Sequence, residues 1–189
     1  MNKRLLTAAL LVLNVCAHAQ LKVEVSEDRI TRGKDLVHQI AGCDGCHSER
    51  ESNQYSFPPK QVLLLAGGNI FLNIGPRAIT PNLTPYALGG WSDQEIFDAM
   101  TRGIRPDGRV LDPIMPYDVY GRMEPERIYD MIAYLRSLEP IAAGPYPAEF
   151  PGEHTAFQPR PAELSWPDED APEVELGAYL AEVAHCNAC

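Results

Sequence analysis

The stretch Cys43-Asp44-Gly45-Cys46-His47 decides how this chain is interpreted. C-x-x-C-H is the signature of covalent c-type haem attachment, in which two thioether bonds hold the porphyrin on one short turn. His47 then lies under the iron and supplies an imidazole nitrogen. A thioredoxin-like redox pair is the alternative, but such a pair follows a strand of a βαβ unit. Here an apolar pattern of helical period over residues 29–41 precedes the motif, which favours haem attachment.

The second axial ligand is expected to be Met115, which lies in Pro113-Ile114-Met115-Pro116. Two prolines disfavour helix there and hold the backbone extended and stiff, so the thioether is presented at little entropic cost. The alternative is a buried loop methionine. Thioether ligation favours reduced iron and raises the reduction potential. The other candidates are predicted to pack in helix cores (Met100, Met131), to contact a helix start (Met123) or to be surface or structural (His38).

An all-α, cytochrome c-like domain is expected over residues 20–140, with a small extended or β insertion. Its helices are predicted near residues 29–41, 93–102 and 125–138, with the first and last crossing each other. Ser92-Asp93-Gln94-Glu95 is a capping box, and the helix that it starts ends at Gly103. Glu124-Pro125 starts the third helix, since proline is tolerated at the first helical position.

Two polar or broken segments are predicted to lie over the haem. Residues 62–79 are apolar but interrupted by glycines, and we interpret them as one or two short strands or extended loops. Residues 80–85 are rich in turn formers and carry hydroxyl and amide groups suited to a propionate. Arg105 and Arg109 are either propionate partners or solvated surface cations, and both interpretations stay open.

The last part of the chain is first rich in proline and then repeats a pattern found near residue 33. Eight of the 17 prolines lie in residues 140–172, so residues 141–172 are interpreted as a linker that wraps the first domain. Its expected apolar anchors are Phe150, Phe157 and Trp166.

Residues 173–189 are interpreted as the start of a truncated second cytochrome c domain. Residues 173–184 predict a helix, and it leads from Gly177-x-x-Leu180 to Cys186-Asn187-Ala188-Cys189 as Gly33-x-x-Leu36 leads to the first pair. We expect Cys186 and Cys189 to bind a second haem only if the natural chain continues. Otherwise they are free thiols or a strained disulfide.

Residues 1–19 are interpreted as a secretory signal peptide. Lys3 and Arg4 precede an apolar run, Leu5 to Val15, and Ala17-His18-Ala19 is a cleavage site with small residues at its first and third positions. An uncleaved membrane anchor is the alternative, but the run is short for a bilayer span. A lipoprotein site at Cys16 is disfavoured because the preceding Val15 is not small.

The predicted mature chain is strongly acidic. The signal holds two of the 16 basic residues and none of the 26 acidic ones, so removing it changes the formal charge from −10 to −12. Nucleic acid is an unfavourable partner for such a surface. Docking to a basic patch on another protein is compatible with it.

The chain resembles the c-type cytochrome subunits of bacterial membrane-associated alcohol, gluconate and sorbitol dehydrogenases, over residues 33–140 and again from Gly177. The markers that carry this resemblance, besides the haem motif, are Leu65-Ala66-Gly67-Gly68, Thr80-Pro81-Asn82-Leu83-Thr84-Pro85, Gly89-Gly90-Trp91-Ser92-Asp93-Gln94-Glu95, Arg102-Gly103-Ile104-Arg105-Pro106-Asp107-Gly108, Met115-Pro116-Tyr117 and Tyr134-Leu135-Arg136-Ser137-Leu138. The resemblance implies covalent haem c with His47 and Met115 as axial ligands. It also implies electron relay in the periplasm between a dehydrogenase and a downstream acceptor.

Three functions remain to be distinguished. The first is electron transfer with one haem per chain and no catalysis of its own. The second is a haem-dependent redox enzyme, peroxidase-like or a sulfur-compound dehydrogenase, which needs an open or replaceable axial position. The third, zinc held by the two C-x-x-C pairs, is disfavoured by their separation and by His47 beside the first pair. We also expect the protein without haem to fold poorly, since a buried cofactor stabilises a small domain.

Overall fold

The computed structural model describes residues 20–71, 78–146, 156–158, 163–168 and 170–186. The predicted signal peptide, Phe150 and Cys189 lie outside these residues. The elements in chain order are α1 (Glu27–Asp35), a π-helical turn (Leu36–Ile40), α2 (Cys43–Cys46), a 3₁₀ turn (Gln61–Leu63), β1 (Ile70–Phe71), β2 (Ala78–Ile79), α3 (Pro85–Leu88), α4 (Asp93–Arg102), α5 (Tyr117–Tyr120), α6 (Pro125–Ser137) and α7 (Glu173–Val183). Within the described ranges the fold is helical, as predicted, and β1 and β2 form a small antiparallel pair. None of the helices described is long and apolar enough to cross a bilayer.

The predicted capping residues lie at the ends of α4 and at the start of α6. The capping box is formed, because Ser92 Oγ accepts from the Glu95 backbone N–H and the Glu95 carboxylate accepts from the Ser92 backbone N–H. α4 then ends at Gly103, which adopts a left-handed conformation with φ of 71°. α6 begins with Pro125 at its first position, as the sequence predicts.

The first predicted helix differs from the expectation at both ends. It begins two residues earlier, where the Ser26 side chain accepts a hydrogen bond from the Arg29 backbone N–H. After Asp35 the α-helix continues as the π-helical turn, which ends three residues before the C-x-x-C-H motif. Wider turns of this kind are rare and often lie next to functional sites.

α1 and α6 pack closely against each other, as predicted for the first and last helices. At Gly33 a Cβ atom would lie 1.9 Å from the Asp130 carbonyl oxygen, so only glycine permits this approach. The buried Asp130 carboxylate accepts hydrogen bonds from Arg29 at 2.9 Å and from Arg32 at 2.7 Å. The contact therefore combines close backbone packing with a paired buried charge.

The hydrophobic core lies between four helices, namely α1, α4, α6 and α7. Its fully buried aliphatic members include Val37, Leu65, Ile128, Met131, Ile132 and Val183. α7 contributes Tyr179 and Val183 to this core, and Trp166 meets Tyr179 edge-on with ring centroids 5.2 Å apart. The Phe157 backbone N–H donates to the Arg102 carbonyl at 3.0 Å. The segments of the proline-rich region that are described thus lie on the helical core.

Candidate haem site

A single cavity of about 880 Å³ brings together residues that the sequence separates widely. Its wall contains the predicted attachment thiols Cys43 and Cys46 and both predicted axial ligands, His47 and Met115. Pockets for cofactors typically measure about 300–1,000 Å³. The remaining wall is mostly apolar and includes Leu83, Leu88, Ile96, Ala99, Val119 and Leu135. The cavity has the size and polarity that a porphyrin requires.

The haem motif forms a short helical turn at the cavity edge. Gly42, with φ of 61°, reverses the chain after the π-helical turn, and α2 then carries both thiols three residues apart, on one face of a single turn. The His47 backbone N–H closes this turn by donating to the Cys43 carbonyl at 2.7 Å. Burial raises the pKa of the Cys43 thiol to about 12. Thioredoxin-like pairs show the opposite shift, so this environment disfavours a redox dithiol.

His47 is buried, and both its backbone and its ring are held by loops from elsewhere in the chain. The Gly67 backbone N–H donates to the His47 carbonyl at 2.8 Å, and the ring Nδ1 lies 2.9 Å from the Pro81 carbonyl oxygen. A carbonyl only accepts, so Nδ1 carries the hydrogen and Nε2 keeps the lone pair that a metal needs.

Burial lowers the pKa of His47, and the Pro81 hydrogen bond opposes that shift. The net result favours the neutral ring, which is the ligating form.

Met115 lies in a loop whose backbone hydrogen bonds join residues close together in the sequence. Its backbone N–H donates to the Asp112 carbonyl at 3.0 Å, and its carbonyl accepts from the Tyr117 backbone N–H at 2.7 Å. The side chain is partly buried against the core and lines the cavity. The loop therefore presents the thioether to the same space as His47.

The other predicted ligand candidates are engaged elsewhere or packed. Met100 on α4 and Met131 on α6 are buried in the core, although both also border the cavity, and Met123 is buried in the core. His38 has a structural role, because its Nε2 lies 2.6 Å from the Tyr134 hydroxyl and its Nδ1 lies 3.6 Å from the Asp44 carboxylate.

Arg105 and Arg109 both line the cavity, with different surroundings. Arg109 is more exposed and forms two hydrogen bonds to one Asp107 oxygen, at 2.7 and 3.0 Å. This pairing lowers the pKa of Asp107 to about 2. Arg105 is less exposed, lies over the Trp91 ring at 5.5 Å and approaches Asp107 only to 3.6 Å. Of the two cations, Arg105 retains more capacity for an anionic group in the cavity.

Residues 80–83 of the turn-rich segment also line the cavity, but the polar groups of the segment bond to protein partners. Thr80 Oγ1 exchanges hydrogen bonds with the Asn69 backbone at 3.1 and 3.4 Å. Asn82 and Thr84 bond to each other and to residues after α6. These amide and hydroxyl groups therefore support the wall instead of facing a propionate.

The sequence does not predict how one side of the wall is assembled. Tyr120 and His185 both line the cavity, and His185 Nε2 lies 3.2 Å from the Tyr120 hydroxyl. Tyr146, also unforeseen, joins them from the segment after α6. The hydrogen bond joins residues 65 positions apart, and no local pattern marks such a pair.

The residues present fit a covalently attached haem. Two thiols, a neutral imidazole with a free Nε2 and a thioether share one apolar cavity, and a partly buried cation borders it. The described part of the chain contains no cluster of three or more His, Cys, Asp or Glu side chains arranged for a metal ion.

Comparison with known proteins points to the same class. The chain is 29% identical to a diheme cytochrome c-type protein of Cereibacter sphaeroides, over 82% of this chain and 55% of that protein. It is 27% identical to the cytochrome c subunit of the quinone alcohol dehydrogenase of Gluconacetobacter polyoxogenes, over 81% of this chain and 34% of the subunit. It is 24% identical to the gluconate 2-dehydrogenase cytochrome c subunit of Pantoea cypripedii, over 95% of this chain and 42% of the subunit.

These similarities confirm the resemblance to cytochrome c subunits of alcohol and gluconate dehydrogenases. The chain spans about half or less of the length of these relatives. No family model matches it. By their names these relatives are c-type cytochromes or cytochrome c subunits.

Proposed function

We propose that this relative of c-type cytochromes is an exported electron-transfer protein that carries haem c on Cys43 and Cys46, with His47 and Met115 as axial ligands. The observation that carries the proposal is the cavity that contains all four side chains, with the His47 ring turned by the Pro81 carbonyl so that Nε2 is free. Haem, when bound, supplies a one-electron redox couple.

The protein's own contribution is to hold the group and to limit water around it. The apolar wall lowers the local dielectric, which favours the less charged, reduced state. The Pro81 carbonyl fixes the His47 tautomer, and the local bonds of the 112–117 loop hold Met115 ready. Arg105 is proposed to pair with an anionic group at the rim, since its charge is less completely paired than that of Arg109.

The proposed electron donor is a periplasmic or membrane-associated dehydrogenase, and the proposed acceptor belongs to the respiratory chain. Two relatives are cytochrome c subunits of an alcohol dehydrogenase and of a gluconate dehydrogenase, which supports a dehydrogenase as the donor. We propose export to the periplasm through the signal at residues 1–19. One haem per chain is proposed at the first motif, and a second at Cys186 and Cys189 only in a longer natural chain.

A haem-dependent redox enzyme is the second candidate, and one observation favours it. The backbone bonds of Met115 are local, and neighbouring Ile114 is 37% exposed. Such a loop opens more easily than one held by distant elements, which would free an iron position for substrate.

The test is an absorption spectrum of the exported protein, oxidised and reduced, with the haem-to-protein ratio and the N-terminal residue of the mature chain. One haem per chain, a low-spin spectrum that carbon monoxide and cyanide leave unchanged, and a start at Gln20 are expected. A high-spin spectrum that shifts with these ligands would favour the enzyme. Absence of haem from protein co-expressed with a haem-attachment system would contradict both functions.

A further inference from the structure

The segment after α6 forms a strap, residues 141–146, that lies over the cavity wall. Ala143, Pro145 and Tyr146 line the cavity. The two hydrogens of the Asn82 side-chain amide are donated to the Ile141 carbonyl at 2.9 Å and to the Ala143 carbonyl at 3.1 Å. One buried side chain therefore fastens the strap to segment 80–84.

Thr84 completes this fastening. Its backbone N–H and its hydroxyl both donate to Asn82 Oδ1 at 2.8 Å, and its hydroxyl oxygen accepts from the Ile141 backbone N–H at 3.1 Å. Asn82 is 3% exposed and Thr84 is 1% exposed. A fully satisfied buried network of this kind is stiff, and losing one member leaves its partners unpaired.

The network is adjacent in sequence to the group that orients the haem ligand. Pro81 immediately precedes Asn82, and its carbonyl accepts from His47 Nδ1 at 2.9 Å. On the other side, Gly67 packs so closely that a Cβ atom would lie 2.6 Å from the Pro81 carbonyl carbon. Pro81 thus lies between a close contact with Gly67 and a residue, Asn82, whose side chain is bonded to the strap.

We infer that Asn82 and Thr84 are positioning residues for His47, because by fastening the strap they fix the Pro81 carbonyl that orients the imidazole. The inference rests on the proposed ligation of haem by His47. A fixed carbonyl keeps the ring in one tautomer and makes it a stronger electron donor, which stabilises oxidised iron. Loosening the network weakens the Nδ1–H bond and raises the reduction potential.

The experiment compares Thr84→Val with Thr101→Val in the exported, haem-loaded protein. Both threonines are buried, and Thr101 donates its hydroxyl to the Phe97 carbonyl at 2.8 Å within α4. The control therefore loses a buried hydroxyl bond without touching His47. Thr84→Ser restores the hydroxyl and serves as the rescue variant.

Two readouts report on the imidazole and not on stability alone. The first is solvent exchange of the His47 Nδ1 hydrogen, followed by NMR of protein labelled with ¹⁵N-histidine. The second is the midpoint potential from a spectroscopic redox titration. Thermal melting of each variant corrects for the loss of stability that both substitutions cause.

We expect the Nδ1 hydrogen to exchange at least tenfold faster in Thr84→Val than in Thr101→Val, with an upward shift of the potential that Thr84→Ser reverses. Equal exchange rates and potentials at matched stability would overturn the inference, as would a downward shift. If Thr84→Val folds too weakly, Ile141→Pro removes the N–H that Thr84 accepts and gives the same test.

Failure of the proposed function is visible separately. A protein without haem shows no haem absorption in any variant, whereas failure of the inference leaves haem attached in every variant with equal exchange rates and equal potentials.

Discussion

The two sides of the cavity are built by different means. On one side His47 is held by loops far away in sequence, with its backbone bonded to Gly67 and its ring bonded to Pro81, 34 residues along the chain. On the other side the backbone bonds of Met115 stay within the 112–117 loop. We call the first side, formed by His47, Gly67 and Pro81, the His47 wall. We call the second side, formed by residues 112–117, the Met115 wall.

The difference indicates how rigid each wall is. Moving the His47 ring requires that several distant segments shift together, whereas moving Met115 requires only a local opening. We therefore expect the His47 wall to be the stiffer of the two.

Removing both attachment thiols should have the largest effect. Cys43→Ala with Cys46→Ala leaves the apolar cavity without its covalent cofactor, and we expect almost complete loss of haem and of cooperative melting. Circular dichroism melts and the haem-to-protein ratio check this. Cys186→Ala, at an exposed thiol, is the control and should leave both unchanged. Native-like melting of the double variant would show that the His47 wall needs no haem.

Replacing the proposed distal ligand should change the iron without unfolding the protein. In Met115→Leu we expect attached haem, a spectrum that shifts with added imidazole, and a midpoint potential lower by roughly 0.1 V or more, within the span of about 0.8 V that axial ligands control.

Met100→Leu is the matched control, since Met100 also borders the cavity but packs in α4. If Met100→Leu opens the iron and Met115→Leu does not, the assignment of the Met115 wall is wrong.

Replacing each of the two arginines at the cavity rim should have a smaller effect, and the two variants can be compared with each other. Arg105→Gln should lower the midpoint potential by about 40 mV, since losing a nearby cation is worth on the order of 1 kcal/mol near a protein surface. Arg109→Gln should do less, because its charge is already matched by Asp107. Redox titrations of both variants at low ionic strength decide this. Equal shifts would mean that Arg105 has no special place at the rim.

The smallest effect concerns acid stability. Arg109 lowers the pKa of Asp107 from its ordinary value of 3.8 to about 2. A lowered carboxyl pKa stabilises the fold above the unfolded value, and this contribution disappears as the pH falls from 3.8 towards 2.

The pair is exposed, so solvent screens most of the interaction and we expect only a small effect on stability. Urea unfolding across that pH window should be less pH-dependent in Asp107→Asn than in the parent. An unchanged slope would contradict the expectation.

Local signals in the sequence predicted much of the helical frame. The bounds of α4 follow from Ser92 and Gly103, and α6 begins at Pro125, because caps and prolines act within one turn. The four-residue helices α2, α3 and α5 were not predicted, since so few residues leave no period to detect. The π-helical turn has no sequence signature and was also missed.

In the candidate site, too, the features with a local sequence pattern could be predicted and the contacts between distant residues could not. The haem motif and the proline-flanked Met115 are local patterns, and the cavity contains both, although ligation itself stays a prediction. The Asn82 contacts and the His185–Tyr120 pair join residues 59 to 65 positions apart. Such pairs depend on how α6 and α7 dock, which the helical pattern of a single sequence does not specify.

The strap also affects the timing of assembly. It follows α6, so its residues leave the ribosome after Cys43, Cys46 and His47 have emerged. The bonds that fasten it join residues 59 and 61 positions apart, and such distant contacts form slowly. If haem is attached as proposed, the two thiols therefore stay accessible until these slow contacts form and the strap closes over the cavity.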